Sequence, residues 1–185
     1  MSPLEKTLKN PTNAALTRKK LISAALPLFL NHGYDGTGIN QILKQAKLSK
    51  GAFYHHFSSK EQIYQEIMAE FFLKPIKQLD LEELENFPLK IMRKVISDHY
   101  ENLPKTIAKN ANINLTRYYA AFYEALCRLP NFKSEINSHY ASLIKILADK
   151  TNKEREIFPK VAQAHAKNII STLEGKMLLD VLVKD

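Results

Sequence analysis

Apolar residues recur along this chain at spacings of three and four, and almost nowhere in simple alternation. Over residues 17–32, Leu21, Ala25, Leu28 and Phe29 form one helical stripe. Gly33 follows it as a residue suited to a left-handed C-terminal cap. Pro27 lies inside the stripe and has no N–H to give, which predicts a bend or break near residues 23–27. Asp35-Gly36-Thr37-Gly38 is turn chemistry. A second helix over residues 39–46 starts from it, with Thr37 or Gly38 as cap and Ile42 and Leu43 facing inward. Lys47 and Leu48 turn the chain, and Ser49 is suited to cap a third helix over residues 50–56, anchored inward by Phe53 and Phe57. Ser58 with Glu61, or Ser59 with Gln62, supplies a capping box for a longer helix running from Lys60 to Lys74 and stopped by Pro75.

Beyond it, residues 80–88 read as a loop or fragmented helix. Helical patterns then cover residues 89–102, 113–129, 132–150 and 158–183, with Pro104, Pro130 and Pro159 at the breaks. No β-branched run alternates with polar residues, and the Asp35-Gly36 pair sits between helical patterns. The expected fold is all-α: a three-helix head with a helix-turn-helix, followed by a larger helical body. The expected divisions are a flexible arm at 1–16, the head at 17–62 and the body at 63–185.

Charge changes this picture by marking one end. Residues 1–60 hold nine Lys or Arg against only Glu5 and Asp35, so they carry nearly all of the chain's net charge of +8. A basic head on a nearly neutral body is the electrostatic footprint of a phosphate-binding module. The longest apolar run, residues 24–30, is far too short to span a bilayer, and no signal-peptide pattern opens the chain. Cys127 stands alone, so no intrachain disulfide forms and a cytoplasmic setting is expected. The chain has no Gly-rich phosphate loop, nucleophile elbow or zinc spacing, and no paired carboxylates in a recognisable motif. It does not read as an enzyme, and no cofactor or metal is expected. Adjacent His55 and His56 point about 100° apart on a helix, which is poor metal-ligand geometry.

The third helix is too short and too polar at its start to be a core element, but it suits the major groove of DNA. Gly51 in its first turn lets the backbone come close to a base or phosphate. The order TRKKLISAALPLFLNHGYDGTG, then AKLSKGAFYHHF, then SKEQIYQEIM, over residues 17–68, resembles the N-terminal DNA-binding domain of TetR-family transcriptional repressors. The resemblance implies base contacts from Lys50 and Gly51, and phosphate contacts from Thr37, Ser49, Tyr54, His55, His56 and Lys60. Lys47 stands where the family usually has glycine, which requires this lysine to hold a positive φ. Gly38 replaces a common Ser or Thr.

The resemblance also implies a body with a ligand pocket and a dimer interface, hence a homodimeric repressor released from a near-palindromic operator in double-stranded DNA by a small-molecule effector. Aromatic residues with polar tips suggest a pocket from Phe87, His99, Tyr100, Tyr118, Tyr119, Phe122, Tyr123 and Cys127, although such a stripe also suits an ordinary core. The last helix has more apolar positions than one buried face needs. Ile169, Ile170, Leu173, Met177 and Val181 are therefore interface candidates, with a central core helix as the alternative. Two other functions stay open: a DNA-binding regulator without a ligand, and a thiol sensor of electrophiles acting through Cys127.

Overall fold

The computed structural model describes residues 13–183, and every regular element among them is helical. The chain divides between Tyr64 and Gln65 into two compact units. The head contains α1 (Asn13–His32), α2 (Ile39–Ala46), α3 (Lys50–His56) and the start of α4 (Lys60–Met68). Leu21, Ala25, Phe29, Ile42, Phe53, Phe57, Ile63 and Tyr64 form its core, each at most 1% exposed. The inward stripe read from the sequence is therefore the packing surface of α1, except that Leu28 is only half-buried.

Helix α1 begins at Asn13, so residues 13–16 are helical rather than part of an arm. The rest of the expected arm lies outside the described residues. The helix also passes Pro27 without a break. Leu21, Ala24 and Ala25 on one side and Phe29 and Leu30 on the other are buried. Packing on both flanks thus offsets the one missing hydrogen bond. The Asn31 side chain adds a bond to the Pro27 carbonyl at 2.9 Å.

The turn after α1 is dictated by backbone geometry. Gly33 holds φ at 72°, as a left-handed cap requires. Gly36 is held by crowding, since a Cβ there would lie 2.2 Å from the His32 carbonyl oxygen. Helix α2 starts at Gly38, whose N–H donates to Gln41 Oε1 at 2.6 Å, and ends at Lys47 in the left-handed region with φ 54° and ψ 46°. The Leu48 N–H closes that end onto the Leu43 carbonyl at 3.1 Å. The lysine does occupy the backbone position that favours glycine.

The body continues α4 through a π turn at Ala69–Leu73 into α5 (Lys74–Ile76). Pro75 does not stop the helix as expected. A wider turn, with the Lys74 N–H on the Ala69 carbonyl, lies immediately before the residue that has no N–H to give. After the short α6 (Leu81–Leu84) come α7 (Leu89–Ala111), α8 (Leu115–Arg128), α9 (Pro130–Arg155) and α10 (Pro159–Val183). Pro130 and Pro159 each open a helix, where a proline loses nothing. Pro104 was also expected at a break but lies buried inside α7, which runs nine residues beyond the predicted end at 102. The α7 start has no side-chain cap of its own, and Glu154 on α9 accepts the Leu89 N–H at 2.9 Å instead. The most extensive helix pairing is α9 with α10, joined by a short connection.

Gly36→Ala should lower stability by about 1–3 kcal/mol, because the added methyl meets backbone rather than a movable side chain. A urea-unfolding series reads this directly, and an unchanged midpoint would show that the turn relaxes freely.

Candidate functional site

Helix α3 is built so that one side holds and the other side is presented. Ser49, at φ −79° and ψ 161°, accepts the Ala52 N–H at 3.2 Å and caps the helix as expected. Phe53 and Phe57 are buried on the inner side, with ring centroids 5.7 Å apart. The Arg18 guanidinium of α1 lies 4.7 Å from the Phe57 ring centroid, adding a cation–π contact to the anchor. The outer side carries Ser49, Lys50, Gly51, Tyr54 and His55, all exposed, with His56 half-buried. Lys50 Nζ lies 5.9 Å over the Tyr54 ring, and the His55 and His56 rings meet edge to face at 4.9 Å.

Gly51 is not required by the head's own packing. A Cβ there would meet only Ser49 Oγ, at 3.8 Å, an ordinary contact. The protein leaves an open, side-chain-free spot in the first turn of this helix. That geometry allows a partner surface to reach the backbone.

Two expected phosphate contacts are placed differently. Thr37 is fully buried and its hydroxyl donates to the Gly33 carbonyl at 2.8 Å, so it fastens the turn between α1 and α2 instead of facing solvent. Lys60 is half-buried; its ammonium donates to the Tyr34 carbonyl at 2.8 Å and lies 4.0 Å over the Tyr34 ring. Tyr34 in turn packs on Tyr64 at 5.0 Å, and Tyr64 on Phe29 at the same distance. Lys60 thus braces the turn from within. The capping alternative that forms before it is Ser59 with Gln62: Ser59 Oγ accepts the Gln62 N–H at 3.1 Å, and Gln62 Oε1 accepts the Ser58 N–H.

In the body, the suspected pocket residues separate into two groups. Tyr100, Tyr118, Tyr119 and Phe122 line one small cavity of about 20 Å³, together with Ile76, Leu103, Pro104, Tyr140, Glu174 and Met177. Phe87, His99, Tyr123 and Cys127 do not line it. Tyr123 is 53% exposed and Cys127 is exposed rather than buried. His99 is pushed to a lower pKa by burial, while its hydrogen bonds to the Ile76 and Pro75 backbone oppose the shift. Tyr100 Oη and His139 Nε2 are 2.6 Å apart, and burial likewise lowers the His139 pKa.

The residues missed from sequence are Tyr140 and Glu174. Tyr140 Oη donates to Glu174 Oε1 at 2.5 Å. Burial raises the Glu174 pKa above the usual carboxylate range, and the Tyr140 bond only partly offsets it. Burial, with Glu174 nearby, also pushes up the hydroxyls of Tyr100, Tyr118, Tyr119 and Tyr140. A signal was present: Glu174 stands on the same helical stripe as Ile170, Leu173 and Met177, all buried. A lone acid inside an apolar stripe is worth locating.

The interface candidates also shift. Ile170, Leu173 and Met177 are buried within the body itself, and Ile169 and Val181 are half-buried. The outward apolar residues of α10 are Val161, Leu178, Leu179, Leu182 and Val183, preceded by Phe158 at 81% exposure. Among the described residues, no His, Cys, Asp and Glu groups gather as a metal site, and no helix is long and apolar enough to cross a membrane.

Residues 21–67 match a family model described as bacterial regulatory proteins, tetR family. The A-factor receptor protein of Streptomyces griseus is 46% identical over 57 residues, 31% of this chain and 21% of that protein. The transcriptional repressor DhaR of Mycobacterium sp. strain GP1 is 27% identical over 124 residues, 65% of this chain and 52% of that protein. The chain thus spans about half or less of the length of these relatives. A solved transcriptional regulator from Aquifex aeolicus shares the fold, with a TM-score of 0.60 at 24% identity, covering 88% of this chain and 85% of that one.

The Glu174 environment makes a pH-dependent prediction. A carboxyl whose pKa is raised on folding contributes most below its unfolded value and loses that contribution as pH rises through the folded value. Glu174→Gln removes the titration, so its melting temperature relative to the native chain should climb as pH rises from the ordinary carboxylate range. A difference that stays flat across a pH series of thermal melts would contradict the buried-acid reading.

Proposed function

We propose that this chain, whose residues 21–67 match the tetR family model, acts as a homodimeric repressor released from a near-palindromic operator by a small molecule held in the body. The observation that carries the DNA-binding part is the divided face of α3: Phe53 and Phe57 locked inward, Lys50, Gly51, Tyr54 and His55 turned outward. Lys50 is the candidate for reading guanine acceptors, and Gly51 allows the helix to settle close to base edges. Ser49, Tyr54, His55 and His56 are the phosphate-positioning set. Exposed Lys19, Lys20, Lys44 and Lys47 extend the positive surface of the head. Thr37 and Lys60 serve the reading differently from what the resemblance implied, by fixing the turn that leads into α2.

Dimerisation is supported by the outward apolar face of α10, where Leu178 and Leu182 stand one turn apart and Leu179 and Val183 repeat the spacing. Paired heads would read two half-sites about one DNA turn apart, or a multiple of it. Effector release is supported by the relatives: one bears the name of a receptor for A-factor. A ligand that favours one body conformation weakens DNA binding by its differential affinity for the two states.

Operator affinity should fall steeply with salt. About four neutralised phosphates per chain give a log–log slope of about −7 for a dimer. A nearly flat salt dependence in fluorescence anisotropy would remove the electrostatic part of the proposal. For the base-reading part, Lys50→Ala should relax sequence preference, while Gly51→Ala should fold normally and bind operator about tenfold or more weakly, a loss of about 1.4 kcal/mol. Unchanged affinity and preference in both variants would mean that α3 does not enter the groove.

A further inference from the structure

The small cavity in the body has an uneven chemistry. Its polar lining consists of tyrosine hydroxyls and one carboxylate, with no Lys, Arg or His among the lining residues. The nearest basic side chain on α10, Lys176, is paired outward with Glu101 at 2.9 Å and lines a different crevice. Among the described residues, the hydrogen-bond partner of Glu174 is the Tyr140 hydroxyl. A carboxylate placed among rings and apolar groups loses hydration without gaining a counter-charge. The lining includes four tyrosine rings and one phenylalanine ring, whose π systems attract a cation.

The space of about 20 Å³ suits roughly one water, so an organic guest has to widen it. The wall contains a weak point at the right place. Pro104 lines the cavity inside α7 and has no N–H for the Tyr100 carbonyl one turn earlier, and Tyr100 lines the same cavity. A helix that already lacks this bond bends there at lower cost. Met177, also in the lining, supplies a flexible side chain that can repack around a guest.

We infer that the seam between α7, α8, α9 and α10 takes a monovalent organic cation with an apolar or aromatic body, a protonated or quaternary amine, with Glu174 as counter-ion and Tyr100, Tyr118, Tyr119 and Tyr140 as the aromatic wall. This names the effector class for the ligand-release reading and depends on that reading only for its regulatory use. The binding itself is a separate property of the body.

The test uses the full chain without DNA, titrated calorimetrically with benzyltrimethylammonium and with neopentylbenzene, its uncharged carbon isostere. The cation should bind about tenfold or more tightly than the isostere, as a desolvated cation–π and ion-pair contact requires. Glu174→Gln should cut that preference several-fold, down to what the rings alone supply, while leaving the isostere's affinity unchanged, which also shows that the variant's cavity is intact. Equal affinity for the two compounds, no binding of either, or a cation preference undiminished in Glu174→Gln overturns the inference. Operator release is then read separately. A cation that binds through Glu174 without releasing DNA upholds the site and removes the effector-release reading.

Discussion

A seven-residue helix has no stability of its own in water, where isolated helices shorter than about 12–15 residues are marginal. Helix α3 exists because Phe53 and Phe57 are fully enclosed by the head, and the rest of its outward surface depends on that anchoring. With one side fixed, the intervening residues have no choice but to face out, so Lys50, Gly51, Tyr54 and His55 form a continuous exposed strip. The Ser49 cap sets where the helix begins, and the Lys47 left-handed turn sets its angle to α2. Each of these devices is local, yet together they decide what a DNA duplex would meet.

Polar groups inside the head serve the same end. Thr37 and Lys60 secure the turn between α1 and α2 through backbone carbonyls, and the rings of Phe29, Tyr34 and Tyr64 pack together beside it. The chain thereby spends two groups that look like phosphate ligands on holding a turn. The body follows the opposite logic at Glu174, a half-buried carboxyl whose hydrogen-bond partner among the described residues is the Tyr140 hydroxyl. A fold maximising stability would place an apolar residue there. A retained half-buried acid fits a site that gains something when a partner of opposite charge arrives.

Much of this was legible in the sequence, and the failures have common causes. The bounds of α2 and α3 follow from apolar spacing and capping residues, because short amphipathic helices between turn residues leave few alternatives. The prolines at 27, 75 and 104 misled, since a missing backbone bond is a local cost and burial on both sides of a helix outweighs it. Thr37 misled because a hydroxyl suits a carbonyl inside the protein as well as a phosphate outside it. Tyr123 and Cys127 share a helix with Tyr118 and Phe122, but only tertiary packing decides which side of that helix is enclosed. The same holds for Ile170, Leu173 and Met177, whose inward assignment depends on α9 rather than on their own spacing.

The central claim is that α3 presents a sequence-reading surface, held by its phenylalanine anchors and doubled by a two-fold dimer. Selection of duplex DNA from a random pool by the full chain tests it most directly. The enriched sequences should converge on a near-palindrome whose half-sites lie about one helical turn apart, or a multiple of it. A pool that converges on no sequence, or on a single unpaired site, would contradict it.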